Sequence, residues 1–184
     1  DVLFQTALTH NYDLSASGGN DKGNYYVSLG YINSEGIVLG TGYDRFSLTA
    51  NGNYNLRSNL KLTVGLKHST ISNKATDPEN SGTSTMDRSS RYPTTFRLYY
   101  DYGTPDIGEA GGSPRNRLHE LYYQDISDKA YRNTIQLGLD WEILKGLHFK
   151  PSASYYMQEN IYRFFEKYNE FNKGRKTLEK HDQY

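Results

Sequence analysis

The chain has 184 residues, of which only 35% are hydrophobic, and 18 of the residues are tyrosines. An average soluble domain takes nearly half of its residues from apolar types, so this composition argues against an ordinary packed core. Lysine plus arginine and aspartate plus glutamate balance at 21 each, which excludes the basic surface that nucleic-acid binding needs. The absence of cysteine excludes disulfides, zinc–thiolate sites and thiol catalysis.

Alternation of apolar and polar residues begins at Leu8 and predicts a β-strand with two different faces. The apolar positions are Leu8, His10, Tyr12, Leu14 and Ala16, and every residue between them is polar. Since successive side chains of a strand point to opposite faces, the segment has one apolar and one hydrophilic surface. The glycine-rich stretch 18–23 predicts a tight turn. A second strand then carries the apolar set Tyr25, Val27, Leu29 and Tyr31.

Two further hairpins repeat this pattern, so six strands in three hairpins are predicted. The second hairpin turns at 57–59 and the third at 144–146. The apolar sets are Phe46, Leu48, Ala50 and Tyr54; Leu60, Leu62, Val64 and Leu66; Ile135, Leu137, Leu139 and Trp141; and Leu147, Phe149, Ala153, Tyr155 and Met157. Pro151 lies inside the sixth strand and predicts a bulge or an unpaired stretch, because proline cannot donate to the ladder.

The predicted connections differ between the two ends of the hairpins. Turns within hairpins are very short, whereas the links between them run over 33–44, 72–130 and everything after Gln158. Short turns at one end and long loops at the other are typical of outer-membrane barrels. In the last link, the mixed charges of 163–180 predict a solvated loop or short helix. No run of about 18 apolar residues is present, so no transmembrane helix is expected.

The apolar face is aliphatic in its middle and aromatic near its ends, as expected for a lipid-facing band between aromatic girdles. The aromatic residues at the ends are Tyr25, Tyr31, Phe46, Tyr54, Trp141 and Tyr155. His10 does not suit this face and requires a girdle position or a local register shift. The predicted fold class is all-β: an antiparallel transmembrane β-barrel segment of about six strands with long extracellular loops.

Several short motifs carry a resemblance to a known family. They read NYDLSASGGN at 11–20, NYYVSLGY at 24–31, EGIV at 35–38 and RFSL at 45–48. This series resembles the early barrel of the SusC/RagA-type TonB-dependent outer-membrane transporters, the glycan and peptide importers of Bacteroidetes. The resemblance is specific over residues 1–70, and the stretch 139–147 matches more loosely.

The resemblance implies that residues 1–184 are part of one TonB-dependent-receptor β-barrel domain, with the plug domain and the remaining strands absent from this sequence. It implies a bacterial outer-membrane location and active uptake of an oligosaccharide or peptide ligand through the lipid bilayer. It also implies a SusD-like surface lipoprotein as partner, and a TonB complex that acts through parts not present here. It implies no enzymatic activity and no cofactor. The loops of the family vary with substrate, so the transported ligand is not carried over.

The longest predicted loop is rich in tyrosine and arginine and holds the candidates for ligand contact. These are Arg91, Tyr92, Tyr99, Tyr100, Asp101 and Tyr102. Aromatic faces can stack on a sugar or peptide while arginine and aspartate bind its polar groups. The competing interpretation is a folded loop whose tyrosines pack only against their neighbours.

The sequence predicts neither a catalytic site nor a metal site. No histidine is spaced with a carboxylate or a second histidine as metal ligands or catalytic bases would be. The five are His10, His68, His119, His148 and His181. Asp101, Asp106 and Glu109 lie near one another but do not match the EF-hand spacing, so solvated carboxylates are expected.

Two other architectures remain open at this stage. A secreted, soluble β-sandwich that binds carbohydrate also has alternating strands and exposed aromatic residues. Its aliphatic faces pack against each other and its polar faces meet water. A small porin-like barrel needs eight strands, two more than the pattern predicts.

Overall fold

A computed structural model describes residues 3–75, 97–99, 103, 105, 116–167 and 175–183. Nearly all of them lie in one antiparallel β-sheet. Its strands are β1 (Thr9–Asn20), β2 (Gly23–Glu35), β3 (Gly42–Arg57), β4 (Leu60–Ala75), β5 (Gln124–Leu144), β6 (Leu147–Phe149), β7 (Ser152–Glu166) and β8 (Arg175–Gln183). A short helix, α1 (Arg117–Tyr123), precedes β5. Within the described residues, no helix is long and apolar enough to cross a membrane.

The three predicted hairpins are confirmed, but the prediction of six strands is wrong. The predicted sixth strand consists of β6 and β7, which both pair with β5. Beyond it, β7 continues to Glu166 and β8 pairs with β7, so the solvated loop or short helix predicted for 163–180 is also wrong. Apolar–polar alternation did not predict this strand, because its residues carry mixed charges. A strand that extends beyond the membrane does not need an apolar face.

The sheet order is β1-β2-β3-β4-β5-β7-β8, so neighbours in the chain are neighbours in the sheet. Every pairing is antiparallel. Among the described residues β1 and β8 do not pair with each other, so the sheet is open. The small closed porin-like barrel is therefore not formed.

The strand register places the predicted apolar sets on one side of the sheet. Directly paired residues share a face, and one such row runs Ala16, Val27, Ala50, Leu66, Ile135 and Tyr155. The adjacent row on the other side runs Ser17, Tyr26, Asn51, Gly65, Gln136 and Ser154. The predicted division into an apolar and a polar face is confirmed, and the two sides are called the outer face and the inner face below.

The outer face is open to its surroundings and does not pack on a second sheet. Leu14 is 69% exposed and Leu137 is 49% exposed. A β-sandwich buries these side chains between two sheets. The structure therefore does not favour the sandwich alternative, and it leaves the aliphatic band where lipid would contact it.

Aromatic side chains lie toward both ends of the outer face, and their positions shift from strand to strand. At the turn end, Tyr25 pairs with Gly52, and Tyr54 lies two residues closer to the turn than Gly52. Leu137 lies in the same cross-strand row as Tyr25, and Trp141 lies four residues closer to the turn than Leu137. Strands about 4.8 Å apart that tilt by about 40° shift by about 4 Å, or roughly 1.2 residues, per strand. The observed stagger matches this tilt. Aromatic residues at one depth in the membrane therefore do not pair directly with each other, and their positions advance by one or two residues from strand to strand.

The thickness of the apolar band agrees with a membrane-spanning wall. In β3 the band runs from Phe46 to Tyr54. Eight residue steps at about 3.4 Å, with a tilt of about 40°, give a height of roughly 21 Å, close to the ~25 Å of outer-membrane barrels. His10 pairs with Asn33 in regular register and stacks on Tyr12, with ring centroids 6.3 Å apart. The girdle interpretation of His10 is thus correct, and no register shift is needed.

The connections at the two ends are unequal, but less so than predicted. Each hairpin turn has two residues, at 21–22, 58–59 and 145–146. The predicted turn over 18–23 is too long, because Gly18 and Gly19 belong to β1. At the other end, the predicted long links at 33–44 and after Gln158 shrink to 36–41 and 167–174, because β2, β3 and β7 run further than their apolar pattern. Only the link 76–123 is long.

Pro151 interrupts the ladder without shifting its register. Phe149 pairs with Trp141 and Ser152 with Gly138, so the register is the same on both sides of the gap. The Leu139 amide still donates to the Pro151 carbonyl at 3.0 Å. Of the two predicted outcomes, the structure shows an unpaired position and no bulge at Pro151.

Substitution of Pro151 by valine is expected to restore the missing ladder hydrogen bond, because valine supplies the amide that proline lacks. The gain in stability should be about 0.5–1.5 kcal/mol. Amide hydrogen exchange at Leu139 should slow in the complete protein. Ala153→Val, on the same face of β7, adds a similar side chain without a new amide and should leave the exchange unchanged.

Candidate functional site

The outer ends of β5 and β7 carry the described part of the long link. Ile126 and Phe164 form a cross-strand pair on the inner face and are only 4% and 3% exposed. Phe165, the next residue, faces outward and is 41% exposed. Since α1 contacts β5 and its Leu118 is also buried, the helix and its flanking segment cover the inner face here. The described C-terminal end of the link thus lies over the inner face of the sheet at this end.

Asn116 fixes the start of α1. Its side-chain oxygen accepts a hydrogen bond from the Leu118 amide at 3.1 Å, which is the N-cap interaction. Its side-chain nitrogen donates to the Leu98 carbonyl at 2.7 Å. Asn116 is 1% exposed, so both bonds form away from water. One buried amide thus ties the helix to the segment that holds the ligand-contact candidate Tyr99.

The C-terminal end of α1 is fixed by the end of β7. The Lys167 amide donates to the Tyr123 carbonyl at 2.8 Å, and the Lys167 ammonium donates to the Tyr122 carbonyl at 3.2 Å. The ammonium also lies 5.3 Å from the centre of the Tyr122 ring. His119 is 8% exposed and its ring lies against that of Tyr123, with ring centroids 4.5 Å apart and planes inclined at 38°. The helix is held by backbone, charge and ring contacts together.

Replacing Asn116 with alanine should loosen the helix by about 1–3 kcal/mol, because it removes the cap and leaves a buried carbonyl without its donor. Asn116→Ser retains a capping oxygen but cannot reach Leu98, so it should cost less. Hydrogen exchange of the Leu118 and His119 amides measures both effects. If exchange in Asn116→Ser were as slow as in the unsubstituted protein, the bond to Leu98 would contribute nothing of its own.

The predicted ligand-contact residues fall mostly outside the described part of the chain. Tyr99 is described: it is 44% exposed and forms an isolated β-bridge with Pro105. The other five, Arg91, Tyr92, Tyr100, Asp101 and Tyr102, lie outside the described residues, as do Asp106 and Glu109. The structure therefore places one candidate, with an accessible ring, beside the segment that Asn116 anchors.

The inner face of the sheet carries linked amides and hydroxyls in its lower half, toward the turns. The Asn53 side-chain nitrogen donates to the Asn24 side-chain oxygen at 3.0 Å, and the Thr63 hydroxyl donates to the Asn53 side-chain oxygen at 2.8 Å. Beside them, Gly65 and Gly138 leave a shallow concavity of about 370 Å³, whose inward-facing side chains are those of asparagine, threonine, glutamine and serine. Such a surface is suited to water or to polar chains.

A charged cluster lies on the inner face next to the third turn. The His148 ring nitrogen Nδ1 lies 2.7 Å from one oxygen of Asp140, and the Lys150 ammonium lies 3.0 Å from the other. The sequence reading paired no histidine with a carboxylate, and it was wrong for His148. The two-residue turn at 145–146 would have revealed the pair, because it sets Asp140 opposite Lys150. These groups are well exposed, so the cluster contributes little stability.

Within the described residues no group of three or more histidines and carboxylates could hold a metal ion. His68 bonds to the side chains of Asn133 and Thr70, at 2.7 and 3.2 Å.

Known proteins resemble the chain in sequence. TonB-dependent receptor P3 of Formosa agariphila is 26% identical over 163 residues, which cover 84% of this chain and 16% of that protein. Receptor P39 of the same organism is 27% identical over 165 residues, covering 89% and 15%. Receptor P26 is 34% identical over 71 residues, or 39% of this chain. The chain thus spans about one sixth of the length of its first two relatives. No protein-family model matches it.

Solved structures resemble the chain in fold. The RagAB peptide transporter superposes with a TM-score of 0.76 at 20% identity, over 98% of this chain and 21% of that one. The RagAB peptide importer in its closed-closed state gives 0.77 over the same shares. The alternating faces, the antiparallel sheet and these relatives agree: the chain resembles TonB-dependent receptors in sequence and has the fold of a segment of the RagAB transporter barrel.

Proposed function

We propose that this segment forms part of the wall and outer loops of a nutrient importer in a bacterial outer membrane. All of residues 1–184 would then belong to one barrel domain without enzymatic activity. The observation that carries the proposal is the pairing of two unlike faces in one sheet. The outer face exposes aliphatic side chains, and the inner face exposes linked amides and hydroxyls. Lipid on one side and a wet lumen on the other require this division.

The wall acts in transport by excluding lipid from the path of the ligand. Unpaired backbone groups cost several kcal/mol each in hydrocarbon, so β1 and the part of β7 that β8 does not cover need further strands beside them in the membrane. In its lower half the inner face offers neutral amides and hydroxyls, with the charged cluster of Asp140, His148 and Lys150 beside the third turn, so a polar ligand can exchange hydrogen bonds as it passes. Energy for uptake would come through a TonB complex that engages other parts of the protein.

The ligand is proposed to be an oligosaccharide or a peptide. The similarity to RagAB, a peptide transporter, supports a peptide. The long link 76–123 would contact it above the membrane, with Arg91, Tyr92, Tyr99, Tyr100, Asp101 and Tyr102 as the contact residues. The inward fold of α1 supports this placement, because it directs the end of the link over the lumen. A SusD-like surface lipoprotein would cover the same mouth from outside.

The test replaces Tyr99, Tyr100 and Tyr102 with alanine in the complete transporter. Loss of several aromatic contacts is expected to lower ligand affinity by roughly tenfold or more. Radiolabelled peptide and oligosaccharide uptake, together with calorimetry on the purified complex, would measure the effect and distinguish the two ligand classes. Phe4→Ala, an exposed aromatic at the same end of the sheet, is the control and should bind normally.

Unchanged uptake and affinity in the triple variant would refute the ligand-contact role of these tyrosines. The importer proposal itself has a separate test. The complete protein should require detergent for solubility and co-purify with a surface lipoprotein. A complete protein that stays monomeric in plain buffer would contradict it.

A further inference from the structure

The outer face of the sheet contains a notch between Tyr25 and Tyr54. Its volume is about 480 Å³, and its outward-facing walls include Val64 and Leu62. Gly52 forms the floor, since it lies between Tyr25 and Val64 in the ladder, and no side chain covers it. A methyl group built on Gly52 would meet only the Asn24 carbonyl oxygen, at 3.7 Å. The smooth aliphatic wall is interrupted at this place.

The two tyrosine rings lean away from the notch and keep it open. A Cβ placed on Gly18 would lie 2.8 Å from the Tyr25 hydroxyl oxygen, so the Tyr25 ring covers Gly18. A Cβ placed on Gly23 would lie 3.2 Å from Cδ2 of Tyr54, so the second ring lies against Gly23. Both rings thus pack over glycines of the preceding strand, a known way to support a glycine in a sheet. Neither ring fills the space above Gly52.

In the membrane wall proposed above, on which this inference rests, the notch faces lipid, and this determines what can fill it. It is continuous with the aliphatic band, because Val64 and Leu62 belong to both. An empty notch would forfeit the dispersion contacts of its lining, and a water molecule needs two to four polar partners that leucine and valine do not offer. Hydrocarbon supplies the missing contacts. The occupant is therefore a lipid chain.

The depth of the notch indicates which part of the lipid lies there. It is bordered by Tyr54 of the turn-side girdle and, closer to the turn, by Asn20. Tyrosine hydroxyls and asparagine amides near this edge suit the ester and headgroup region, where apolar bodies and polar tips are both accommodated. We propose that the notch is a binding site for one phospholipid of the turn-side leaflet, with an acyl chain lying over Gly52.

The experiment uses the complete protein in vesicles of phosphatidylethanolamine and phosphatidylglycerol. A fraction of the phosphatidylethanolamine carries a photoreactive diazirine on its acyl chain, and adducts are located by mass spectrometry after irradiation. Adducts at Tyr25 and Val64 should exceed those on the residues around Trp141, at the same girdle, by roughly fivefold, a preference of about 1 kcal/mol. Uniform labelling along the girdle would overturn the proposal.

Two variants of β3 sharpen the test. Gly52→Leu fills the notch and should reduce the labelling of Tyr25 and Val64 to the level around Trp141. Its backbone has an ordinary conformation and open space for the side chain, so the barrel should assemble. Ala50→Leu adds a comparable side chain to the same strand and face, outside the notch, and should leave the labelling unchanged. Persistent labelling in Gly52→Leu would also contradict the proposal.

Discussion

Replacing Leu137 with arginine is expected to destabilise the assembled barrel by about 2–4 kcal/mol. Leu137 lies on the outer face, between Tyr131 and Trp141 along β5, and is 49% exposed. In the membrane that exposed area contacts hydrocarbon, and a guanidinium there loses its water and finds no counter-charge. The measurement is equilibrium unfolding of the complete protein in lipid vesicles by urea or guanidinium chloride.

The matched control is Gln136→Arg, one residue earlier on the same strand. Gln136 faces the inner side, where Gly65 and Ser154 are its cross-strand neighbours. An arginine in that wet and uncharged surrounding should change the stability by less than about 1 kcal/mol. If the two variants were equally stable, or if Gln136→Arg were the worse one, the assignment of outer and inner faces would be wrong.

Phe164→Ala should release the covered end of the sheet. The ring is 3% exposed, and removing such a side chain typically costs about 3–5 kcal/mol, because burial is lost and a cavity remains. Since the site lies above the apolar band, we expect local opening of α1 and an intact barrel. Exchange of the α1 amides should accelerate by roughly 100-fold or more. Ligand affinity should fall as well if the link contributes to binding.

Phe165→Ala provides the comparison, because this ring points to the opposite face and is 41% exposed. It should cost about 1 kcal/mol or less and leave the exchange of α1 unchanged. Similar behaviour of the two variants would show that the inner side is not covered as described.

The fold within the membrane was predictable because one physical requirement governs it. Lipid demands an apolar residue at every second position, and the outward positions of the hairpin strands largely follow this rule. Beyond the membrane this requirement ends. The outer parts of β2, β3 and β7 and all of β8 keep their backbone pairing but have mixed side chains, so alternation could not reveal them. The missed strand β8 and the overlong predicted links lie in that region, whereas the division of the sixth strand at Pro151 and the overlong turn at 18–23 lie at the turn end.

The site was less predictable, because it depends on contacts between distant residues. The tyrosine-rich composition of the link indicated Tyr99 as a candidate, but no sequence pattern distinguishes Asn116. Its role depends on a carbonyl 18 positions away, at Leu98. The pair of His148 and Asp140 was accessible in principle, since a two-residue turn fixes the register of a hairpin. The notch at Gly52 could not be predicted, because it depends on the orientations of the two neighbouring tyrosine rings and no sequence pattern specifies these.

The unequal lengths of the connections also influence the order in which the sheet assembles. Strands β1 to β4 are joined by two-residue turns and the six-residue link 36–41, so they can form in succession by local pairing. The pairing of β4 with β5 must instead close the 48-residue link 76–123. The link 76–123 is eight times as long as 36–41, which is three doublings. Closing it therefore costs roughly 2 kcal/mol more in conformational entropy. The β4–β5 seam should therefore form last, by docking of two preformed halves, and mutations along it should slow insertion more than mutations within either half.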